Sequence, residues 1–164
     1  MSWDRKTNLS PIADVLLIQN GGVLTSGYSR FGFFLGGTSS NSVLITDPGS
    51  TLILPNVPLS IGFNGAGNSL VISNGGKMVT TGFMGYTEAD GPNSILITGP
   101  GSVWSNNAQA ARIGAFGAGS TLAIRNSGLM VNNFTPNIFS IGGLGGIRHK
   151  AATALFLSLT WVLS

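Results

Sequence analysis

The sequence contains no cysteine and only one histidine, and these two features remove several kinds of site at once. Without cysteine there are no disulfides, no thiolate metal sites and no cysteine nucleophile. A single histidine excludes a metal site built from several imidazoles and leaves one candidate for a catalytic triad. That residue, His149, stands between Arg148 and Lys150, whose positive charges disfavour an imidazolium. A solvated basic cluster is therefore the favoured interpretation.

Charged residues are scarce: they make up 8% of the 164 residues, against roughly 25% in an average soluble domain. The net charge of +3 arises from eight cations and five acids scattered along the chain, so no basic face for nucleic acid is expected. Glu88 and Asp90 form the one close acidic pair, in a Gly-Pro turn that favours solvated carboxylates over catalysis, with weak calcium binding as an alternative. We predict no catalytic, cofactor-binding or metal-binding residue, and no cofactor.

No apolar run is long enough to cross a membrane as a helix. The tail at 151–164 has fourteen mostly apolar residues, against the ~20 that a spanning helix needs. Its leucines alternate, which favours a final strand that caps the fold or contacts a partner. Membrane-surface attachment and unnatural sequence at a truncated gene end are the alternatives. The start lacks the apolar run of a secretory signal. We expect a fragment or a mature segment, and the alternative is a protein that is not exported by that route.

The most informative feature that is present is a repeat. The stretch Asn68–Gly76 reads Asn-Ser-Leu-Val-Ile-Ser-Asn-Gly-Gly, and close versions begin at Asp14, Asn41, Asn93 and Ser120. Their central isoleucines are separated by 27, 27, 25 and 27 residues, and five glycines keep the same intervals. A period of about 20 to 50 residues indicates a solenoid or a similar array. The isoleucines are Ile18, Ile45, Ile72, Ile97 and Ile124, and the glycines are Gly22, Gly49, Gly76, Gly101 and Gly128.

Each unit holds three short segments rich in β-branched and apolar residues, separated by Gly, Pro and Asn. We therefore predict an all-β fold, a right-handed single-stranded parallel β-helix of about five three-sided coils with isoleucine stacked on isoleucine. The predicted organisation is an N-terminal cap segment leading into the first coil at 1–12, the repeats at 13–147, and the basic cluster with the apolar C-terminal cap or partner-contact strand at 148–164. We expect the third segments to close at Gly36, Gly62, Gly85, Gly114 and Gly142.

The units come in two alternating forms. The first and third carry Asn-Gly-Gly, the fifth has the related Asn-Ser-Gly, and the second and fourth carry Thr-x-Pro-Gly-Ser at Thr46–Ser50 and Thr98–Ser102. With the intervening Ile-Gly, this alternation resembles the β-helical repeats of bacterial autotransporter passengers and of related surface proteins that carry a PEP-CTERM sorting tail. The resemblance covers about residues 13–142. It implies a stalk-like protein that is exported and then displayed on a surface or secreted.

Two sets of asparagines recur with the same period, and we expect them to hydrogen-bond along the stack rather than to bind sugars. Core filling is the expected role of most aromatic residues, with a glycan-stacking strip as the alternative. The asparagines are Asn20, Asn74 and Asn126 in one set, and Asn41, Asn68 and Asn93 in the other. The aromatic residues are Phe34, Phe63, Phe83, Tyr86, Trp104 and Phe116.

The predicted function is a non-enzymatic, rigid passenger or adhesion scaffold, secreted or displayed at a bacterial cell surface or outer membrane. The first alternative is a carbohydrate-active β-helix of the polysaccharide lyase or hydrolase type, which five acids over five coils disfavour. The second is a self-associating assembly module. Expected partners are host or surface glycans or proteins, and other copies of the chain through the coil ends and residues 151–164; nucleic acid is not expected.

Overall fold

The computed structural model describes residues 15–26, 40–55, 59–61, 66–82, 85–87, 92–108, 110–113, 119–133, 138–141 and 153–156. Within these ranges all regular structure is β-strand. The strands are β1 Val15–Ile18, β2 Val23–Thr25, β3 Ser42–Thr46, β4 Thr51–Pro55, β5 Leu59–Ser60, β6 Ser69–Ser73, β7 Lys77–Gly82, β8 Gly85–Thr87, β9 Ser94–Thr98, β10 Val103–Ala108, β11 Ala110–Ile113, β12 Thr121–Arg125, β13 Leu129–Asn132, β14 Ile138–Ile141 and β15 Thr153–Phe156.

These strands form three sheets in which all paired strands run parallel. The first sheet has the order β1-β3-β6-β9-β12-β15, the second β2-β4-β7-β10-β13 and the third β5-β8-β11-β14. From β3 to β14 the chain visits the first, second and third sheets in turn. One such passage through the sheets is called a coil, and the coils are numbered from the one that contains β1 and β2. The predicted all-β class is therefore confirmed, the described residues contain no helix, and the cyclic order is compatible with a solenoid. The expectation that Gly85 closes a third segment is wrong: Gly85 begins β8 and pairs with Leu59, the first residue of β5, and with Ala111 of β11.

The isoleucines identified by their spacing form one continuous row through the first sheet. Ile18 pairs with Ile45, the pairing continues through Ile72 and Ile97, and it reaches Ile124 without a slip, although one interval is 25 rather than 27 residues. All five side chains are buried, and each contributes roughly 1.5–3 kcal/mol by leaving water. A second inward row lies two residues earlier on each strand: Leu16, Val43, Leu70, Ile95 and Leu122.

The second sheet contributes a row of larger side chains to the same core. Trp104 is 2% exposed and lies in register between Met78 and Met130. Leu52 and Leu24 continue the row toward the start of the chain. Core filling is therefore confirmed for Trp104. The side chains of Phe34, Phe63, Phe83, Tyr86 and Phe116 lie outside what the structure describes.

The corner at Asn74–Gly76 makes a tight turn between β6 and β7. Asn74 has φ 48° and Gly75 has φ 85°, and the Gly76 N–H donates to the Ser73 carbonyl at 2.8 Å. Positive φ at both central residues is the signature of a type I′ turn, for which Asn-Gly is the favoured pair. The corners at Asn20–Gly22 and Asn126–Gly128 repeat the hydrogen bond and the positive φ values.

The Pro-Gly corners use a different turn that is one residue longer. At Asp47–Ser50 the Ser50 N–H donates to the Asp47 carbonyl at 3.1 Å, with Pro48 and Gly49 between them and Gly49 at φ 87°. Proline followed by a glycine of positive φ is the pattern of a type II turn. The corner at Gly99–Ser102 repeats it, with the same bond at 3.2 Å. The two sequence forms of the repeat are therefore two turn types.

The last glycine of the Asn-Gly-Gly corner is required by space rather than by its backbone angle. A Cβ on Gly76 would lie 2.5 Å from the Ile45 carbonyl oxygen of the preceding coil, and one on Gly128 would lie 2.6 Å from that of Ile97. Neither residue has positive φ. Positive φ therefore accounts for glycine at position 75, and the close approach of the neighbouring strand accounts for glycine at position 76.

Strand β15 adds a sixth member to the first sheet. Its residues 153–156 pair in parallel with β12, so that Thr153 lies opposite Thr121. The N-terminal segment at 1–12 and the remainder of 148–164 lie outside the described residues. No described helix has the length and apolar character needed to cross a bilayer.

Replacing Gly76 with Ala should lower the free energy of unfolding by about 2–3 kcal/mol, because the new methyl group forces the third coil away from the Ile45 carbonyl. Gly22→Ala is the matched control, since the three atoms nearest its Cβ would all belong to Ile18 and Gln19 of its own coil, the closest being the Gln19 carbonyl oxygen at 3.1 Å. Urea unfolding followed by circular dichroism measures both. Equal losses in the two variants would contradict the steric explanation.

Candidate functional site

The acidic pair and the histidine identified from the sequence lie outside the described residues, so Glu88, Asp90 and His149 stay predictions, as do Arg148 and Lys150 beside the histidine. Among the side chains that the structure describes, the ionisable ones are Asp47, Lys77 and Arg125. No three His, Cys, Asp or Glu residues of the described part come close enough to hold a metal ion. The described polar chemistry is therefore carried almost entirely by amides and hydroxyls.

Asp47 has a structural role in its corner. One carboxylate oxygen, Oδ2, accepts the Asn20 N–H of the first corner at 3.2 Å. The other, Oδ1, accepts the Thr46 hydroxyl at 3.4 Å. The carboxylate therefore joins the corners of two consecutive coils.

The most regular polar feature is the buried asparagine row, in which the same pair of hydrogen bonds is repeated between consecutive coils. The row is defined as Asn41, Asn68 and Asn93. Asn68 Oδ1 accepts both the backbone N–H and the Nδ2–H of Asn41, each at 3.0 Å. Asn93 Oδ1 accepts the same two donors of Asn68 at 2.8 and 2.9 Å. All three residues are buried. The predicted hydrogen bonding along the stack is confirmed for this set, and it supplies partners for the backbone N–H groups just before β3 and β6.

Ser120 takes the place of asparagine in the fifth coil. It precedes Thr121, which pairs with Ser94, so it follows Asn93 in the register of the row. Its side chain is buried, and its Oγ has no hydrogen-bond partner. A serine is too short to reproduce the two-donor contact, so the carboxamide row ends at this coil.

The corner asparagines form a second, exposed set of contacts. Asn74 Nδ2 donates to Thr46 Oγ1 of the preceding coil at 3.2 Å, and Asn126 Nδ2 donates to Thr98 Oγ1 at 3.2 Å. In both cases an Asn corner reaches back to the threonine that begins a Thr-x-Pro-Gly-Ser corner. The two repeat forms therefore contact each other directly.

The serine that lengthens the Pro-Gly corner makes the reciprocal contact. Ser102 Oγ accepts the Gly75 N–H of the preceding Asn corner at 3.0 Å and donates to the Thr98 carbonyl at 2.7 Å. Ser50 Oγ accepts the Gly21 N–H in the same way at 3.1 Å. Both serines are fully buried. The extra residue thus satisfies a backbone donor of the coil before it.

A buried polar column in the second sheet was not identified from the sequence. Trp104 Nε1 donates to Thr80 Oγ1 at 3.1 Å, and the Thr80 hydroxyl donates to Asn106 Oδ1 at 2.8 Å. Asn106 Nδ2 then donates to Asn132 Oδ1 at 2.7 Å. The sequence does contain a sign of this column, since its three polar residues are spaced 26 residues apart. Each lies two residues after a member of the row formed by Met78, Trp104 and Met130.

The outer face of the first sheet is an uncharged surface of apolar and hydroxyl rows over its middle coils. Leu44, Val71 and Leu96 lie in register at its centre and are half-buried. Such a face can pack apolar groups and exchange hydrogen bonds with another molecule. The flanking hydroxyl residues are Ser42, Ser69, Ser94 and Thr121 on one side, and Thr46, Ser73 and Thr98 on the other.

Comparison with protein-family models, with curated proteins and with solved structures gives no match.

Asn68→Ala should lower the free energy of unfolding by about 3 kcal/mol, because it removes the oxygen that accepts two buried donors of Asn41 and leaves Asn93 Oδ1 with the backbone N–H of residue 68 but not the side-chain donor. The control is Asn133→Ala. That exposed side chain also donates along the stack, to Asn107 Oδ1 at 2.8 Å, and its loss should change stability by less than about 0.5 kcal/mol. Urea unfolding of both variants separates a buried row from a surface one; similar changes would argue against the buried row as a source of stability.

Proposed function

We propose that the chain is a right-handed, single-stranded parallel β-helix of about five three-sided coils. The cyclic passage of strands through three sheets supports this architecture, as does the unbroken isoleucine register. With about 4.8 Å between stacked strands, five coils would rise roughly 24 Å. The apolar and asparagine rows would then run parallel to the long axis of the stack.

The proposed function is a rigid, non-enzymatic scaffold that presents its loops and outer faces to other molecules, as a passenger or adhesion segment. The observation that carries the proposal is the continuous buried asparagine row, in which consecutive coils are joined by paired bonds of 2.8–3.0 Å. Such bonds fix the rotation of each coil relative to the next, in addition to the backbone ladder. A stack held in this way resists bending and twisting about its long axis.

The setting proposed for this scaffold is a bacterial cell surface or outer membrane, or the medium after secretion. The alternating Asn-Gly-Gly and Pro-Gly-Ser corners, which resemble those of exported β-helical passengers, support it. The partners proposed are host or surface glycans or proteins. The outer face of the first sheet supports this choice, because its hydroxyl and apolar rows match the mixed polar and apolar surfaces of sugars.

The test is to apply the purified chain to arrays of glycans and extracellular proteins, and to incubate it in parallel with a panel of polysaccharides. We expect retention on at least one class of array surface and no release of sugar products. Product release that disappears in Glu88→Gln or Asp90→Asn, but persists in Asp47→Asn, would establish the carbohydrate-active alternative. Asp47→Asn is the matched control because it removes one carboxylate from a corner whose bonding is known.

Self-association is a second candidate, favoured by the first coil. Val15 is 72% exposed, Leu17 47% and Val23 63%, on the strands that lie at one end of the first and second sheets. An apolar edge strand is a template for pairing with another chain.

If the chain self-associates, sedimentation of the same preparation should show concentration-dependent oligomers. The double variant Val15→Asp with Val23→Asp, or deletion of 151–164, should reduce these oligomers, and the control Thr121→Asp should retain them. A monomer at all concentrations would exclude this candidate.

A further inference from the structure

Two Asn-Gly pairs lie in described corners, at Asn20–Gly21 and Asn74–Gly75. Asparagine is among the thermolabile residues, and an Asn-Gly pair can lose the asparagine side-chain amide in an intramolecular reaction. Glycine favours this reaction because it has no side chain to shield its backbone nitrogen. The glycine nitrogen loses its proton and attacks the asparagine Cγ, forming a new N–Cγ bond. The Cγ–Nδ2 bond breaks and ammonia leaves. Water then opens the resulting succinimide to aspartate or isoaspartate, so the reaction needs no oxidant and no other reactant.

The Asn74 corner holds both reacting groups in place. The attacking nitrogen, that of Gly75, donates its proton to the buried Ser102 Oγ at 3.0 Å. The leaving group, Asn74 Nδ2, donates to Thr46 Oγ1 at 3.2 Å. Gly75 is buried, and a Cβ there would lie 3.4 Å from the Pro48 side chain of the preceding coil. Attack would require these contacts to break together.

The Asn20 corner is held less firmly. Asn20 and Gly21 are both exposed, and the Gly21 N–H bond to Ser50 Oγ, at 3.1 Å, is only partly buried. The hydrogen bond that the structure gives Asn20 is made by its backbone N–H, to Asp47 Oδ2. Within the described residues its carboxamide has no counterpart of the contact between Asn74 and Thr46, so its Cγ can turn toward the Gly21 nitrogen.

We propose that Asn20 is a site of spontaneous deamidation in the folded protein, and that Ser102 protects the equivalent Asn74 by binding the Gly75 nitrogen. This inference concerns chemical modification and does not depend on the proposed scaffold function. It assigns the Pro-Gly-Ser corner a second effect besides satisfying a backbone donor. The serine of one coil suppresses a reaction in the coil before it.

The modification would act on the first coil alone. The N–H of residue 20 donates to the Asp47 carboxylate. Aspartate at position 20 would place a new carboxylate beside that of Asp47, and the two negative charges would repel each other. Isoaspartate adds a methylene group to the backbone of the turn, which displaces the following pairing of Val23 with Thr51. Because each coil contacts only its neighbours, the later coils would keep their packing.

The experiment is to incubate the full chain at physiological temperature in mildly alkaline buffer, with and without denaturant, and to follow each asparagine by peptide fragmentation mass spectrometry. In denaturant Asn20 and Asn74 should react at similar rates, because both precede glycine. In the folded chain Asn20 should react at least about tenfold faster than Asn74. Equal rates in the folded chain would overturn the proposal without any variant.

Ser102→Ala tests the protecting group, with Ser50→Ala as its matched control. Ser102→Ala should accelerate modification of Asn74 about two- to tenfold, the range expected for the loss of one hydrogen bond, and leave the rate at Asn20 unchanged. Ser50→Ala should accelerate Asn20 and leave Asn74 unchanged. An unchanged rate at Asn74 in folded Ser102→Ala would show that Ser102 does not protect it. Circular dichroism confirms that each variant is folded, and the comparison with denaturant decides the question if one is not.

Discussion

The one-to-one parallel register between consecutive coils is the constraint on which the other features depend. At the corners it is maintained by backbone bonds such as that from Lys77 N–H to the Ser50 carbonyl at 2.9 Å and that from Leu129 N–H to the Ser102 carbonyl at 2.9 Å. A residue type that recurs at the interval of its own sheet is therefore placed on top of its own kind, as the isoleucines are. The corner glycines are not all stacked in this way, because the longer Pro-Gly corner places Ser50 between Gly22 and Gly76. Stacked isoleucines fill the core and stacked asparagines satisfy one another, and both rows would fail if a single strand slipped by one residue.

This register tolerates corners of two lengths because the two kinds contact each other in a fixed way. An Asn corner offers a side-chain donor to the coil before it and a backbone donor to the coil after it, as Asn74 and Gly75 do. A Pro-Gly corner supplies the matching threonine and the additional serine. The strand that follows either corner resumes the same pairing. The repeat that the protein stacks is consequently a pair of unlike coils, which accounts for their alternation in the sequence.

Much of this architecture could be predicted because it rests on identical residues at a constant interval. The isoleucine row and the buried asparagine row are of this kind. The polar column through Thr80, Asn106 and Asn132 could not be found in that way, because its members differ from coil to coil and Leu54 holds the corresponding place in the second coil. Partners such as Thr80 for the Trp104 indole depend on which side chains happen to be neighbours in space. The steric need for Gly76 likewise comes from a carbonyl 31 positions earlier, which local turn preferences do not reveal.

The buried asparagine row also has a direction. In both of its steps the asparagine of the earlier coil donates and that of the later coil accepts, and the bond from Asn106 to Asn132 points the same way. Both ends of the row lie inside the stack, because Ser120 follows Asn93 in the register, so the direction belongs to the row and not to the ends of the fold. Its two end residues are consequently not equivalent. The Asn93 side chain supplies the one oxygen that accepts two buried donors of Asn68, whereas the Asn41 side chain supplies one of the two donors that Asn68 Oδ1 accepts. A polar row of this kind depends more on the residue at its accepting end than on the residue at its donating end, since loss of the acceptor leaves donors unpaired.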